Sequence, residues 1–180
     1  MSKDSASAAT KKRAQGTTDR AAPGLAEFEA FINDEVRLLD DRQFEQWMEL
    51  FAEEGFYWVP TEPGQKDPAR TASLFYDNRS AMKARITRLR HPRIHMQTPP
   101  SRTQHLVSGA RIEESGNLPG EYLVSSNFIM LEYRPGQAQQ LYGGRYLHRF
   151  RYADGRLTIL MKRADLINCD ASFSAIAIPF

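Results

Sequence analysis

The chain of 180 residues is 41% hydrophobic and 26% charged, which fits one domain with a single core and a tail. Its one cysteine, Cys169, excludes an intrachain disulfide framework, a cysteine-rich zinc site and a cysteine-ligated iron–sulfur cluster built by this chain alone. The net charge of +2 is far from the basic excess of a nucleic-acid binder, and no apolar run reaches the roughly 18–20 residues of a membrane span.

Met1 to about Pro23 is rich in Ala, Ser, Thr and Lys, with no aromatic residue and no apolar stretch of the secretory kind. It reads as a flexible tail on a domain spanning residues 24–180, and the cytoplasm is the expected compartment. Leu25 to Leu39 places Leu25, Phe28, Phe31, Ile32, Val36 and Leu39 at helical spacing. A second helix follows with Phe44, Trp47, Met48 and Phe51 on one face, Asp40 or Asp41 as its N-cap and Gly55 as its stop. Phe56 to Val59 is then a strand halted by Pro60, and Thr61 to Thr71 is a loop.

Ser73 to Tyr76 is a short extended piece, and Asn78 caps a third helix whose buried stripe is Met82, Ile86 and Leu89, stopped by Pro92. The second half is all strand: Thr103–Glu114, Tyr122–Arg134, Gln140–Tyr152 and Arg156–Cys169, parted by Gly- and Pro-bearing turns. Gly143-Gly144 within a strand marks a bulge or bend. Tyr142, Tyr146, Phe150 and Tyr152 alternate and give a one-sided aromatic sheet face, in the core or at an interface. Helices followed by a meander of long, strongly twisted strands make an α+β cone with helices against a curved, mostly antiparallel sheet.

Charge is segregated along this chain. Ten acids and two arginines fall between Glu27 and Glu54, whereas eight basic residues and no acid fall between Arg79 and Arg111. Such blocks either face a partner or pair with each other. His91, His95 and His105 lie in the basic block, but Pro92 breaks the helix that would align the first two, and no acid lies near them in sequence. A metal site is therefore not the reading. A general acid/base pair inside the cone is a second candidate, with His105 or His148 beside Asp165 or Asp40, because burial would shift such groups toward neutrality. The arginine block lacks the interleaved aromatics of a nucleic-acid surface.

Several segments in order resemble the small, beta subunit of Rieske-type aromatic-ring-hydroxylating dioxygenases. They are the Glu35-Val-Arg-Leu-Leu-Asp-Asp-Arg-Gln-Phe44 run into Trp47 and Leu50-Phe51, Tyr57-Trp-Val-Pro60, Tyr76-Asp-Asn-Arg79, Arg88-Leu-Arg-His-Pro92, Pro99-Pro-Ser-Arg-Thr-Gln-His105 and Lys162-Arg-Ala-Asp-Leu-Ile-Asn168. The resemblance spans about residues 25–180. It implies a cone fold similar to nuclear transport factor 2 and scytalone dehydratase. It also implies a structural, non-catalytic role in an α3β3 hexamer with other beta subunits and an alpha subunit that holds the Rieske 2Fe-2S cluster and a mononuclear Fe(II). A ferredoxin and a reductase would serve that complex indirectly. No catalytic, cofactor or metal residue is assigned to this chain. Arg79, Arg102, His105 and Asp165 are the candidates for a subunit interface or a structural polar network. The alternatives are a stand-alone cone-fold dehydratase or isomerase using a His–Asp pair, and a ligand-binding module without chemistry.

Overall fold

The computed structural model describes residues 22–92, 97–113, 118–173 and 176–180. The expected tail as far as residue 21, His95 and residues 115–117 of the turn before the second long strand lie outside the described residues.

Helix α1 (Leu25–Asp40) buries Phe28, Ile32, Val36 and Leu39, the stripe that three- and four-residue spacing sets on one face. Glu27 receives a hydrogen bond from the Gly24 backbone N–H at 3.0 Å and so closes its first turn. Helix α2 (Phe44–Glu49) is short and buries Phe44 and Trp47. Neither Asp40 nor Asp41 caps it. The chain reverses through Arg42 at φ 56°, Gln43 occupies the cap without a side-chain bond, and Asp41 instead closes α1. Asp40 is thereby free to turn toward the sheet.

Strand β1 (Phe51–Pro60) begins five residues before Phe56, with Gly55 inside it rather than at a helix end. The reason is a close approach of two backbones, since a Cβ on Gly55 would stand 2.6 Å from the Ile159 carbonyl oxygen. Pairing with β6 accordingly breaks register between Phe51 and Phe56. Strand β2 (Ser73–Asn78) leads into helix α3 (Arg79–Arg90), where the Asn78 Oδ1 accepts from the Ala81 N–H at 3.0 Å and Met82, Ile86 and Leu89 are buried. Strands β3 (Arg102–Ile112), β4 (Glu121–Tyr133), β5 (Gln140–Ala153) and β6 (Arg156–Leu166) form an antiparallel meander.

The sheet order is β2-β1-β6-β5-β4-β3, with β1 and β6 the parallel pair, so the architecture is α+β with a mixed sheet. Its concave face meets α1 and α2. Along β5 the inner positions Tyr142, Tyr146, His148 and Phe150 are buried while Leu141 and Arg145 face outward. The expected aromatic face therefore belongs to the core. Tyr57, Trp47, Phe28 and Phe180 complete it, and the Phe180 backbone N–H donates to the Tyr57 hydroxyl at 2.9 Å.

Gly143-Gly144 sits in unbroken register with Ile129 and Phe128, so the expected bulge is absent there. What demands glycine is again proximity: a Cβ on Gly144 would lie 1.9 Å from the Asp165 carbonyl oxygen. The two charge blocks pair internally, with Arg90 on Glu45 at 2.6 Å and Arg79 on Glu49 at 3.1 Å.

Candidate functional site

Two regions gather polar or interaction-prone side chains: the interior of the cone and the outer face of the sheet. Inside, Glu35 projects from α1 into the core and is wholly buried. Its Oε1 receives Lys162 Nζ from β6 at 2.6 Å and Trp47 Nε1–H from α2 at 2.7 Å. Its Oε2 lies 3.2 Å from His148 Nε2 on β5. Burial alone would raise the Glu35 pKa, but the Lys162 charge and the His148 hydrogen bond outweigh it and bring it from 4.5 down to about 2. Burial pushes both Lys162 and His148 below their ordinary values despite the carboxylate beside them. The contact at 2.6 Å marks Lys162 and Glu35 as an ion pair, and the Lys162 ammonium also stands 4.5 Å over the Tyr146 ring. One carboxylate on α1 thus ties α2, β5 and β6 to that helix. Neither Glu35 nor Lys162 figured among the sequence candidates, because a lone Glu on a helix and a lone Lys on a strand read as surface residues.

The four sequence candidates hold four different partners. Arg79, at the start of α3, donates to the carbonyls of Met48 and Phe51 at 2.7 Å each and pairs with Glu49. It thus engages one carbonyl in the last turn of α2 and one at the first residue of β1. His105 Nδ1 lies 2.6 Å from Asp40 Oδ1, and the His105 backbone N–H donates to Asp40 Oδ2 at 2.9 Å. Burial works to raise the Asp40 pKa, but the bonds from His105 prevail and hold it below its ordinary value. Asp165 is engaged by Arg163 at 2.7 Å, and Arg163 in turn stacks on Trp58. Arg102 lies over the Tyr133 ring at 5.1 Å with no carboxylate partner among the described residues.

A His–Asp pair is a proton-transfer arrangement in outline, since the carboxylate orients the ring and leaves Nε2 to act. Here the His105 side chain is fully buried. A cleft of about 410 Å³ lies beside it, lined by Asn33, Arg37, Asp40, Gln104 and His105 itself, while the buried His105 Nε2 has no hydrogen-bond partner. The pair fastens the end of α1 to the edge strand β3. His148 has Glu35, not Asp165 or Asp40, as its partner. Among the described residues no three His, Cys, Asp or Glu side chains are grouped as metal ligands, and no helix is long and apolar enough to cross a membrane.

On the outer face, Leu106, Ile129, Leu131, Tyr133 and Leu141 are between 40% and 68% exposed. The strand register places them together, with Leu106 opposite Ile129, Ile129 opposite Gly143, and Leu131 opposite Leu141. Beside them a groove of about 640 Å³ is lined by Gly143, Gly144, Ile129, Arg145, Ile167 and the Arg163–Asp165 pair.

Residues 34–171 match the family described as ring hydroxylating beta subunit. The chain is 30% identical over 162 residues to the biphenyl 2,3-dioxygenase subunit beta of Rhodococcus jostii (strain RHA1), covering 82% of this chain and 86% of that protein. The beta subunit of the benzoate 1,2-dioxygenase of Burkholderia mallei superposes with a TM-score of 0.68 at 25% identity, over 83% of this chain and 94% of that one. A structure from Novosphingobium aromaticivorans assigned as a scytalone dehydratase shares the fold alone, with a TM-score of 0.55 at 19% identity over 77% and 80% of the two chains.

Proposed function

Because this chain belongs to the family of ring-hydroxylating beta subunits, we propose that it is the structural small subunit of an aromatic-ring dioxygenase that cis-dihydroxylates an aromatic hydrocarbon or acid in its catabolism. In this reading it works in the cytoplasm in an α3β3 hexamer. The alpha subunits hold the Rieske 2Fe-2S cluster and the mononuclear iron, and a ferredoxin and reductase supply electrons. The observation that carries the reading is the family match across residues 34–171, which includes the C-terminal part of α1, the whole sheet and the buried Glu35–Lys162 pair.

The interior of the cone agrees with a supporting role. Trp47, Tyr57, Tyr146, Phe28, Phe150 and Phe180 fill it, and its charged groups are spent on one another. The stand-alone dehydratase or isomerase is not favoured, because the family match points elsewhere and the His105 side chain of the His105–Asp40 pair is buried. Co-expression with an iron-bearing alpha subunit tests the proposal. The expected product is a heterohexamer that oxygenates an aromatic ring, in which omission of this chain removes soluble, assembled oxygenase. A chain that ignores every such alpha subunit, or one that turns over an aromatic substrate by itself, overturns it.

A further inference from the structure

We propose that the segment 176–180 is a displaceable strap, and that the place its Phe180 ring occupies in the cone is a binding site for a single-ring aromatic alcohol of the phenol class. The Phe180 ring is wholly buried, with its centroid 5.1 Å from that of Tyr142, 6.1 Å from Phe75 and 6.5 Å from Phe128. Ile178 beside it is buried as well. Yet the segment belongs to neither a helix nor a strand. Among the described residues, the hydrogen bond that holds it is the one from the Phe180 backbone N–H to the Tyr57 hydroxyl. A segment fastened by ring packing and one such bond opens at lower free energy than the laddered strands around it.

The surroundings of the ring identify the ligand. Release of the strap returns conformational freedom to its residues, but it opens a ring-sized apolar space and takes the Tyr57 hydroxyl's donor away. A free aromatic ring refills that space against Tyr142, Phe75 and Phe128 in the tilted and edge-on poses that Phe180 adopts. A hydroxyl on it replaces the lost N–H as donor to Tyr57. Tyr146, stacked on Phe128 at 3.9 Å, adds a buried hydroxyl that has no hydrogen-bond partner. Burial first, then Glu35 and Tyr57, push its pKa well above the ordinary value, so it stays a neutral donor for the same ligand oxygen. A carboxylate ligand fits less well. The two cations standing over these rings, Arg85 over Phe75 and Lys162 over Tyr146, are already paired with Asp77 and Glu35.

The test follows amide hydrogen exchange by NMR in the full chain, with and without phenol. Phenol is expected to speed exchange at Phe180 and its neighbours in 176–180 about tenfold or more, while the amides of β5 and β6 stay as they were. Phe180→Ala removes the competing ring. By calorimetry it is expected to bind phenol about tenfold or more tightly than the wild type, whose affinity is reduced by the small fraction of open chain. Cyclohexanol, of similar size but without a π-face, is expected to bind Phe180→Ala about threefold or more weakly than phenol does. Three results overturn the strap: unchanged Phe180 exchange at the highest phenol concentration that leaves the fold intact, acceleration spread evenly over the sheet, or a folded Phe180→Ala that binds phenol no better than the wild type. Equal binding of cyclohexanol overturns the aromatic class of the ligand. If Phe180→Ala does not fold, the wild-type exchange measurement decides alone. All of these outcomes leave the subunit role to the co-expression experiment.

Discussion

Replacing Lys162 with Met removes one partner of a wholly buried ion pair while keeping the volume of the side chain. Glu35 is held from 4.5 down to about 2 in the folded chain, which corresponds to about 3 kcal/mol of native stability at neutral pH. Removing the ammonium also strands a buried carboxylate, and such one-sided losses run to about 3–5 kcal/mol. The pH dependence gives the sharper test. In the wild type the Glu35 contribution is complete above about pH 4.5 and drains away as pH falls toward 2. His148, pushed by burial below its ordinary 6.5, adds a loss in the same direction on acidification below 6.5. In Lys162→Met, burial dominates Glu35 and raises its pKa, so stability falls as pH rises through the new value. If His148 instead takes the proton to replace the lysine, the sign is unchanged. The variant should therefore gain stability between pH 7 and pH 5, where the wild type does not. Urea denaturation followed by tryptophan fluorescence across that range measures both effects, and Glu35→Gln/Lys162→Met should recover part of the loss. A variant within about 1 kcal/mol of wild type at pH 7, or one that weakens on acidification in parallel with it, would refute the reasoning.

Gly144→Ala should cost about 1–3 kcal/mol or more, because its Cβ meets a backbone carbonyl that cannot rotate away. A fall in Tm of several degrees with loss of amide protection along β5 and β6 would register it. Arg79→Ala should cost about 2–3 kcal/mol by leaving the Met48 and Phe51 carbonyls without their shared guanidinium. Arg79→Lys should restore little in chemical denaturation, since an ammonium cannot reproduce the planar fork. Asp40→Ala should lower stability by about 1–3 kcal/mol through the unpaired His105 N–H and ring. In the assembled oxygenase it should leave turnover per iron unchanged, and a drop in turnover at full subunit content would show that the pair does chemistry.

Elements with a strong apolar period were legible from the chain alone. Phe28, Ile32, Val36 and Leu39 fixed the face of α1, and Asn78 with Met82, Ile86 and Leu89 fixed that of α3, because periodicity and capping are local. The errors fell where distant backbones meet. Gly55 and Gly144 look like a helix stop and a bulge in sequence, yet each answers to a carbonyl more than twenty residues away or on the next strand. His105 with Asp40 was among the pairs weighed, but the choice among four combinations needed the turn at Arg42 that frees Asp40. Glu35 and Lys162 are 127 residues apart, and neither residue type signals burial, so their union is visible only in three dimensions.

That union also polices how the sheet assembles. His148 and Lys162 are direct cross-strand neighbours on β5 and β6, and both must face inward to reach the same carboxylate. Sliding either strand by one position would turn its contribution to the solvent side and leave Glu35 sealed in the core with too few donors. Misaligned pairings of these long, β-rich strands are thereby selectively penalised during folding. An aliphatic replacement of the trio would treat neighbouring alignments almost alike, whatever its stability.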